Sequence, residues 1–210
     1  MKNISIYVVT LILTAFSVSC TKFDIIDTGV ADGNHDMVMW DYFKTNPYDW
    51  DSVMVMINHA GLKNVFDGTS EHGKEITFLG ITNHSIRRYL LDKDIPTVKD
   101  MPVEECRDIV LSCVIKGRFL LDDFIEGAPS KDPEELIGTG GKMYTTLSGK
   151  EIWIYTIRDP FGGVPKSGPK TIQIVAPETQ KRFRVVSTNI QTTSGVIHAL
   201  DYNGFTIKDI

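Results

Sequence analysis

The C-terminal third of the chain alternates between short apolar runs and turn residues. Residues 184–190 and 196–200 are two runs rich in apolar and β-branched side chains, and a Thr-Thr-Ser-Gly turn at residues 192–195 separates them. The second run is apolar at nearly every position, contains His198 and is closed by Asp201. Runs of this kind, bounded by turn residues, are typical of buried strands. The pattern therefore predicts that residues 196–200 form a buried, central strand.

The residues before this pair predict further strands and one long loop. Residues 143–147 and 151–157 alternate around a Ser-Gly turn, which predicts a β-hairpin. Residues 159–170 contain three prolines and three glycines, so we expect a loop there, followed by a strand at residues 170–175. Residues 205–210 are predicted to form a final edge strand.

The first half of the chain has apolar residues at helical spacing, interrupted by one strand pattern. Met37, Trp40 and Phe43 share one face of a helix that Asp36 can cap. Trp and Met at this spacing indicate a core-facing stripe rather than a cofactor site. The pattern predicts a strand at residues 75–81 and four helices, at residues 36–46, from Asp49 or Asp51 to Gly61, from Asn83 onwards, and at residues 102–115.

The N-terminus has the layout of an export signal. Lys2 precedes an apolar stretch at residues 4–16, and small residues lead to Cys20. The stretch is too short to span a membrane stably. The small residue before Cys20 resembles a bacterial lipoprotein cleavage box, which predicts a signal peptide at residues 1–20 and a lipid on Cys20; an ordinary secretory signal cleaved nearby is the alternative. The polar residues 21–35 then form a flexible tether.

The net charge and the cysteine spacing argue against a nucleic-acid partner and against an intrachain disulfide. The 210-residue chain has a formal net charge of −5 and no basic block. Nucleic acid is therefore not an expected partner, because phosphate binding needs clustered Lys and Arg. Cys106 and Cys113 lie seven residues apart in a helical pattern, too far for a disulfide on a continuous helix. We expect both to be buried free thiols.

Short sequence landmarks connect the chain to a known family. Three segments resemble, in this order, landmarks of fasciclin (FAS1) domains: ITFLGITNHSI at residues 76–86, VIKG at residues 114–117 and GVIHALD at residues 195–201. Ile81 and Ser194 depart from that pattern, since the family usually has Pro and Asn there. Among the positions that match the family motifs, we select the following as candidate structural residues: Thr77, Phe78, Asn83, Gly195, Val196, His198 and Asp201.

The resemblance implies a fold and a role. It implies an α+β fasciclin-like wedge at residues 36–210, a β-sandwich with N-terminal helices packed against it, in which the motif residues hold the core. It also implies a non-enzymatic domain that acts in adhesion or as an accessory module for a protein or glycan. With the lipid on Cys20 as its membrane contact, we expect an outer-membrane lipoprotein of the bacterial envelope, facing either the periplasm or the cell surface.

The sequence contains little catalytic or cofactor chemistry. Residues 138–142 (GTGGK) lack the spacing of a phosphate loop, and the five histidines have no metal-ligand spacing, so we expect no cofactor, no metal and no catalytic residue. His198 lies in an apolar strand, which favours a hydrogen-bonded core histidine. Two alternatives stay open: an envelope hydrolase with a site at His198, and a protein that binds a small ligand in an apolar pocket.

Three aromatic residues near the hairpin and the Pro/Gly loop are candidates for a binding surface. Trp153 and Tyr155 lie on one strand and Phe161 lies in the loop that follows. Exposed aromatics are common in surfaces that bind sugars and proteins. Trp153 and Tyr155 share one strand parity, however, so the alternative is that both face the core.

Overall fold

The computed structural model describes residues 32–132, 134–203 and 205–210 of the chain. Cys20, the predicted signal peptide and most of the predicted tether lie outside the described residues. Gly33–Ile210 forms one compact unit. None of the helices in the described part of the chain combines the length and the apolar character that crossing a membrane requires.

The described helices and strands agree in order with the sequence pattern. The α-helices are α1 (Met39–Thr45), α2 (Pro47–His59), α3 (Lys63–Phe66), α4 (Asn83–Asp92) and α5 (Val103–Ser112), and Val98–Asp100 and Leu121–Asp123 are 3-10 turns. The strands are β1 (Ile76–Gly80), β2 (Val114–Lys116), β3 (Gly127–Ala128), β4 (Thr139–Gly140), β5 (Lys142–Thr145), β6 (Glu151–Arg158), β7 (Lys170–Ala176), β8 (Lys181–Thr192) and β9 (Gly195–Leu200). The α+β class is confirmed.

Seven of the strands form one mixed sheet with the order β2-β1-β9-β8-β7-β6-β5. Strand β9 lies inside the sheet, parallel to β1 and antiparallel to β8. Every residue of β1 and of β9 is buried. The prediction of a buried, internal strand at residues 196–200 is therefore confirmed, as are the β5–β6 hairpin and the loop between β6 and β7.

The sheet curls until its two ends nearly meet. Ile115, the middle residue of β2, forms a bridge with Thr146, the residue after β5, and the Leu147 N–H donates to the Val114 carbonyl at 2.8 Å. The result is close to a closed barrel. The strand pairing does not confirm the predicted β-sandwich, because the seven strands form one continuous sheet.

The helices cover the β1–β9 side of the sheet. Phe43 of α1, Phe66 of α3 and Phe78 of β1 are fully buried, and the Phe78 ring centroid lies 5.9 Å from that of Phe43 and 5.1 Å from that of Phe66. Pro47 suits the first position of α2, because its missing N–H would have no partner inside the helix. Aromatic packing of this kind joins the helical layer to the sheet.

Two further predictions have clear outcomes. Residues 205–210 do not form a strand; the described tail buries Phe205, Ile207 and Ile210 in the core, and the Lys150 ammonium donates to the Ile210 carbonyl at 3.0 Å. Cys106 and Cys113 are free and buried, as predicted. Burial raises the pKa of the Cys106 thiol to about 11 and that of Cys113 to about 12, so neither is a nucleophile near neutral pH.

Candidate functional site

His198, the most chemically suggestive residue of the sequence, is sealed inside the protein. Its side chain is fully buried, its Nε2 lies 2.9 Å from the Phe119 carbonyl, and its Nδ1 accepts the Asn189 N–H at 3.4 Å. Burial lowers the pKa of His198 to about 4, so the ring is neutral at pH 7. A catalytic histidine must reach a solvent-connected cleft. The hydrolase hypothesis built on His198 is therefore contradicted.

Thr77 fixes the segment to which His198 is bonded. Its hydroxyl donates to the Gly117 carbonyl at 2.8 Å and accepts the Phe119 N–H at 2.9 Å. Phe119 in turn provides the carbonyl that accepts from His198. One side chain from β1 thus orients the backbone that satisfies a buried imidazole on β9.

The turn before β9 joins the sheet to two helices. Ser194 is fully buried; its Oγ accepts the Met39 N–H at 2.8 Å, at the start of α1, and donates to the Phe66 carbonyl at 2.8 Å, at the end of α3. Gly195 has φ +151°, and a Cβ there would lie 2.4 Å from the Ile76 carbonyl oxygen. Val196 then pairs with Thr77 in the β1–β9 ladder.

Asn83 sets the relative position of two helix starts. Its Oδ1 accepts the Ser52 N–H at 2.7 Å, and its Nδ2 donates to the Pro47 carbonyl at 2.9 Å and to the Tyr48 carbonyl at 2.7 Å. The first turn of α2 is therefore held against the first turn of α4. This brings Tyr48 of α2 beside His84 of α4, with ring centroids 5.8 Å apart.

Asp201 fixes a third aromatic residue at the same place. Its Oδ1 accepts the Asn203 N–H at 3.0 Å, and its Oδ2 accepts from the Arg184 guanidinium at 3.0 Å. The Asn203 N–H and the Arg184 guanidinium hold the pKa of the Asp201 carboxyl below its usual range. The turn that Asp201 closes carries Tyr202, whose ring centroid lies 5.0 Å from that of His84. Asp201, which follows His198 by three residues in the chain, thus pairs with Arg184.

The three aromatic residues that Asn83 and Asp201 hold in place line an open depression of about 430 Å³, which we call the aromatic groove. Tyr48, His84 and Tyr202 form a row of rings along it, and the Tyr48 side chain is 77% exposed and that of Tyr202 42% exposed. The remaining lining residues are the aromatic Tyr42 and Trp50, the polar Asp49, Thr82 and Ser187, and the aliphatic Val186, Ile190, Ala199 and Leu200. The volume lies in the range of small-molecule sites.

The wall that β8 contributes to the aromatic groove is irregular. The pairing of β8 with β9 shifts register between Val185 and Ser187 and again between Ser187 and Ile190, and Asn189 adopts φ +59°. Bulges of this kind bend a strand and redirect its side chains. Here they leave Val186 exposed at the groove.

The lining of the aromatic groove is mainly apolar, with a few polar side chains, and is nearly free of formal charge. Asp49 is the one carboxylate among its lining residues, and no Lys or Arg lines it. Burial, and then the nearby Asp49 carboxylate, raise the pKa of Tyr42. The Thr82 hydroxyl is buried and has no hydrogen-bond partner within the described residues.

The predicted binding surface of Trp153, Tyr155 and Phe161 needs correction. Trp153 is 2% exposed and Tyr155 is 4% exposed; their rings stack at 4.2 Å, and the Trp153 indole N–H donates to the Gly140 carbonyl at 3.1 Å. Phe161 is 73% exposed but lies apart from them in the tight turn that it forms with Val164. The alternative, that the strand pair faces inward, is the arrangement observed.

Sequence reasoning missed the aromatic groove because its residues lie far apart in the chain. Tyr48 follows the Asn46-Pro47 pair that stops α1, His84 follows the Thr82-Asn83 pair at the start of α4, and Tyr202 follows Asp201. Each ring thus stands directly after a residue pair or a motif residue that fixes a turn. That adjacency was the available signal. Among the described residues, no group of His, Cys, Asp and Glu could hold a metal ion.

Comparison with known proteins finds likenesses among solved structures. No protein-family model matches the chain, and no curated protein matches it. Solved structures do match, among them the FAS1 domain pair of the insect cell adhesion molecule fasciclin I, with 14% sequence identity and a TM-score of 0.47. The match covers 77% of this chain and 45% of that one, so the chain spans less than half the length of the solved neighbour.

Proposed function

We propose that this chain is a non-enzymatic, fasciclin-like recognition domain of the bacterial envelope, anchored by a lipid on Cys20, that acts in adhesion or as an accessory module for a protein or glycan. The aromatic groove is its recognition face. The observation that carries the proposal is the exposed row of Tyr48, His84 and Tyr202, which is held in place by Asn83 and Asp201.

The contacts of the motif residues support the fasciclin-like assignment. Thr77, Asn83 and Asp201 each make hydrogen bonds that fix backbone in another segment or in the next turn, and Gly195 has no space for a side chain. Residues that depart from the family pattern are accommodated too, since the Ser194 hydroxyl makes two buried hydrogen bonds. The motif residues therefore act as structural supports, and two of them also frame the aromatic groove.

Exposed aromatic side chains support a role in recognition. Large apolar rings stay in water at a free-energy cost, so grouped rings on a surface mark interaction sites. Those of the aromatic groove come from α2, α4 and the turn after β9, so their spacing is fixed by the fold. A preorganised surface loses less entropy on binding than a mobile one.

The direct experiment is a screen of the mature chain against arrays of glycans and envelope proteins, repeated with Tyr48→Ala and Tyr202→Ala. Phe161→Ala is the matched control, because Phe161 is an equally exposed aromatic away from the groove. We expect a specific interaction that both tyrosine variants lose and the control keeps. A binding partner lost in Phe161→Ala alone, or retained in all three variants, would move recognition away from the groove.

The proposed lipid anchor has a separate test. Cys20→Ala removes the only thiol that could carry the lipid at the cleavage box, so we expect the variant protein to leave the membrane fraction and to remain folded. Cell fractionation and circular dichroism measure the two outcomes. Continued association of Cys20→Ala with membranes would contradict anchoring through this residue.

A further inference from the structure

We infer that the aromatic groove binds a neutral sugar unit of a glycan, with the flat C–H face of the sugar ring packed against the exposed tyrosines. This inference rests on the proposed recognition role and narrows it to one class of ligand. Four features of the groove support it: the aromatic rings, the balance of charge, the hydrogen-bonding groups, and the hydrogen bonds that fix the backbone carrying the rings.

The rings provide an apolar platform of the right kind. Tyr48 and Tyr202 flank His84; the His84 and Tyr202 rings are inclined by 33° and the Tyr48 and His84 rings by 68°, so the ring faces of the row point in more than one direction. A pyranose ring has an apolar face of C–H groups, and such a face packs well on an aromatic ring. The tyrosine hydroxyls at the edge of the platform can at the same time bond to water or to the ligand.

The charges around the aromatic groove favour a neutral ligand. Asp49 is its one carboxylate, which disfavours an anion. The first turn of α2 provides Tyr48 and Asp49, and the start of α4 provides Thr82 and His84, so two helix N-termini line the groove. The N-terminus of a helix carries a partial positive charge, which disfavours a cation. The two effects oppose each other, and a ligand without formal charge encounters neither penalty.

The polar groups match a ligand that both donates and accepts hydrogen bonds. The Asp49 carboxylate only accepts, and the Thr82 and Ser187 hydroxyls do both. The Thr82 hydroxyl has no partner within the described residues, so rotation of its side chain towards the ligand breaks no hydrogen bond. His84 is half-buried, and within the described residues its ring nitrogens have no hydrogen-bond partner. Sugar hydroxyl groups can satisfy all of these groups.

Hydrogen bonds within the protein hold the backbone of the exposed tyrosines in place without any ligand. Asn83 fixes the Tyr48 backbone, and Asp201 fixes the turn that carries Tyr202. Neither ring needs a backbone rearrangement before a ligand can contact it. We therefore expect a shallow site that selects for the shape and the polarity of the ligand rather than for charge.

The test uses the full chain, solubilised in a detergent without a sugar headgroup, and a panel of neutral oligosaccharides of glucose, galactose, mannose and N-acetylglucosamine. Saturation-transfer NMR identifies binding, and calorimetry measures affinity. We expect at least one neutral oligosaccharide to bind, with the strongest transfer to protons on one face of the ring. Tyr48→Ala and Tyr202→Ala should each weaken binding at least tenfold, and Asp49→Asn should weaken it less.

Two controls separate the sugar from other ligands. Phe161→Ala should bind with wild-type affinity, and a rise from 50 to 500 mM NaCl should change the affinity by less than about twofold, because a neutral ligand gains little from long-range charge. Tetramethylammonium, acetate and a lysine-rich peptide are the charged probes. Binding of one of these in the groove, with loss in Tyr48→Ala and no sugar binding, would overturn the sugar assignment and leave the proposed recognition role standing.

The remaining outcomes distinguish a failure of the sugar inference from a failure of the proposed function. Sugar binding that survives both Tyr48→Ala and Tyr202→Ala would overturn this site while leaving a recognition role elsewhere on the chain. If neither sugars nor charged probes bind and the protein array is blank as well, both the inference and the proposed function fail. Because Tyr48 is 77% exposed, its alanine variant should fold, and a circular dichroism melt verifies this before any binding is measured.

Discussion

The chain uses its aromatic side chains in two different ways. One is the stacked pair of Trp153 and Tyr155, and the other is the row of three rings in the aromatic groove. The first pair lies on one strand, stacked at 4.2 Å and almost fully buried. The row of Tyr48, His84 and Tyr202 is built from three distant segments and faces solvent. Both groups contain aromatic rings in contact, so contact between rings alone does not indicate which group recognises a partner.

The difference arises from what covers each group. A Cβ on Gly141 would lie 2.6 Å from the indole Nε1 of Trp153, so the glycine lets the backbone pass directly over the ring. The neighbouring Gly140 carbonyl accepts the indole N–H. At the aromatic groove the bulged β8 turns aside, and no such cover exists within the described residues. Burial of an aromatic is thus decided by its neighbours rather than by its own strand position.

Trp153→Ala should have the largest effect on stability. It removes a buried indole, its stacking on Tyr155 and its hydrogen bond, and we expect the free energy of unfolding to fall by about 3–5 kcal/mol. Denaturant unfolding at constant m-value measures this loss. Phe161→Ala is the control and should change stability by less than about 0.5 kcal/mol. A loss below about 1 kcal/mol for Trp153→Ala would show that the stacked pair contributes little to the stability of the fold.

The pH dependence of stability should reveal the sealed histidine. The folded-state pKa of His198 is about 4, below its ordinary value, so the unfolded chain binds the proton more tightly. The stabilising contribution of neutral His198 is complete above about pH 6.5 and falls by about 1.4 kcal/mol per unit as the pH drops from there towards 4.

His198→Asn provides the control for this pH dependence. The variant should be less stable than the wild type at pH 7, and its stability should fall less steeply between pH 6.5 and pH 4.5. Urea unfolding at half-unit pH steps measures both slopes. Equal slopes for the two proteins would mean that His198 is protonated in the folded state and is not sealed from solvent.

Gly141→Ala should have an intermediate effect. The residue has φ +61°, and its new Cβ would meet the Trp153 indole, so we expect a loss of about 1–3 kcal/mol from backbone strain and displacement of the ring. Gly149→Ala is the matched control: it also has positive φ, but its Cβ would meet no atom within 4 Å. Similar losses in the two variants would attribute the effect to backbone strain alone and remove Gly141 from the cover over Trp153.

Tyr48→Ala should have the smallest effect on stability and the largest on binding. Its ring is mostly in solvent, so we expect the free energy of unfolding to change by less than about 0.5 kcal/mol. Thermal unfolding measures this change beside the binding assay. A marked loss of stability would mean that the ring supports the packing of α2 on α4, and the contrast with Trp153 would disappear.

Local sequence patterns predicted much of the fold because the information is local. Apolar periodicity located α1, α2 and the buried β9, and prolines and glycines located the loop after β6. The closure of the sheet was not predictable, because it depends on a bridge between Ile115 and Thr146, which lie at the two opposite ends of the strand order. The tail at residues 205–210 was mistaken for a strand, since its apolar residues fit burial in a coil equally well.

The site was less predictable than the fold. Trp153 and Tyr155 carried the composition of a binding surface, but the cover provided by Gly141 is visible only in three dimensions. The aromatic groove required knowing that Asn83 bonds to the Tyr48 carbonyl, a contact between distant parts of the chain. Sequence order identified the residues that fix turns, and the fold alone shows which rings those turns bring together.

The seam between β2 and the residue after β5 has a consequence for how a partner can attach. Many domains capture an extended peptide by letting it join an open sheet margin through main-chain hydrogen bonds. Here the Val114 carbonyl already accepts the Leu147 N–H, and Ile115 already bridges Thr146. At these residues the backbone is already paired within the chain, which also guards against self-association of the kind that open margins promote. Attachment here would have to depend on side-chain shape rather than on main-chain pairing.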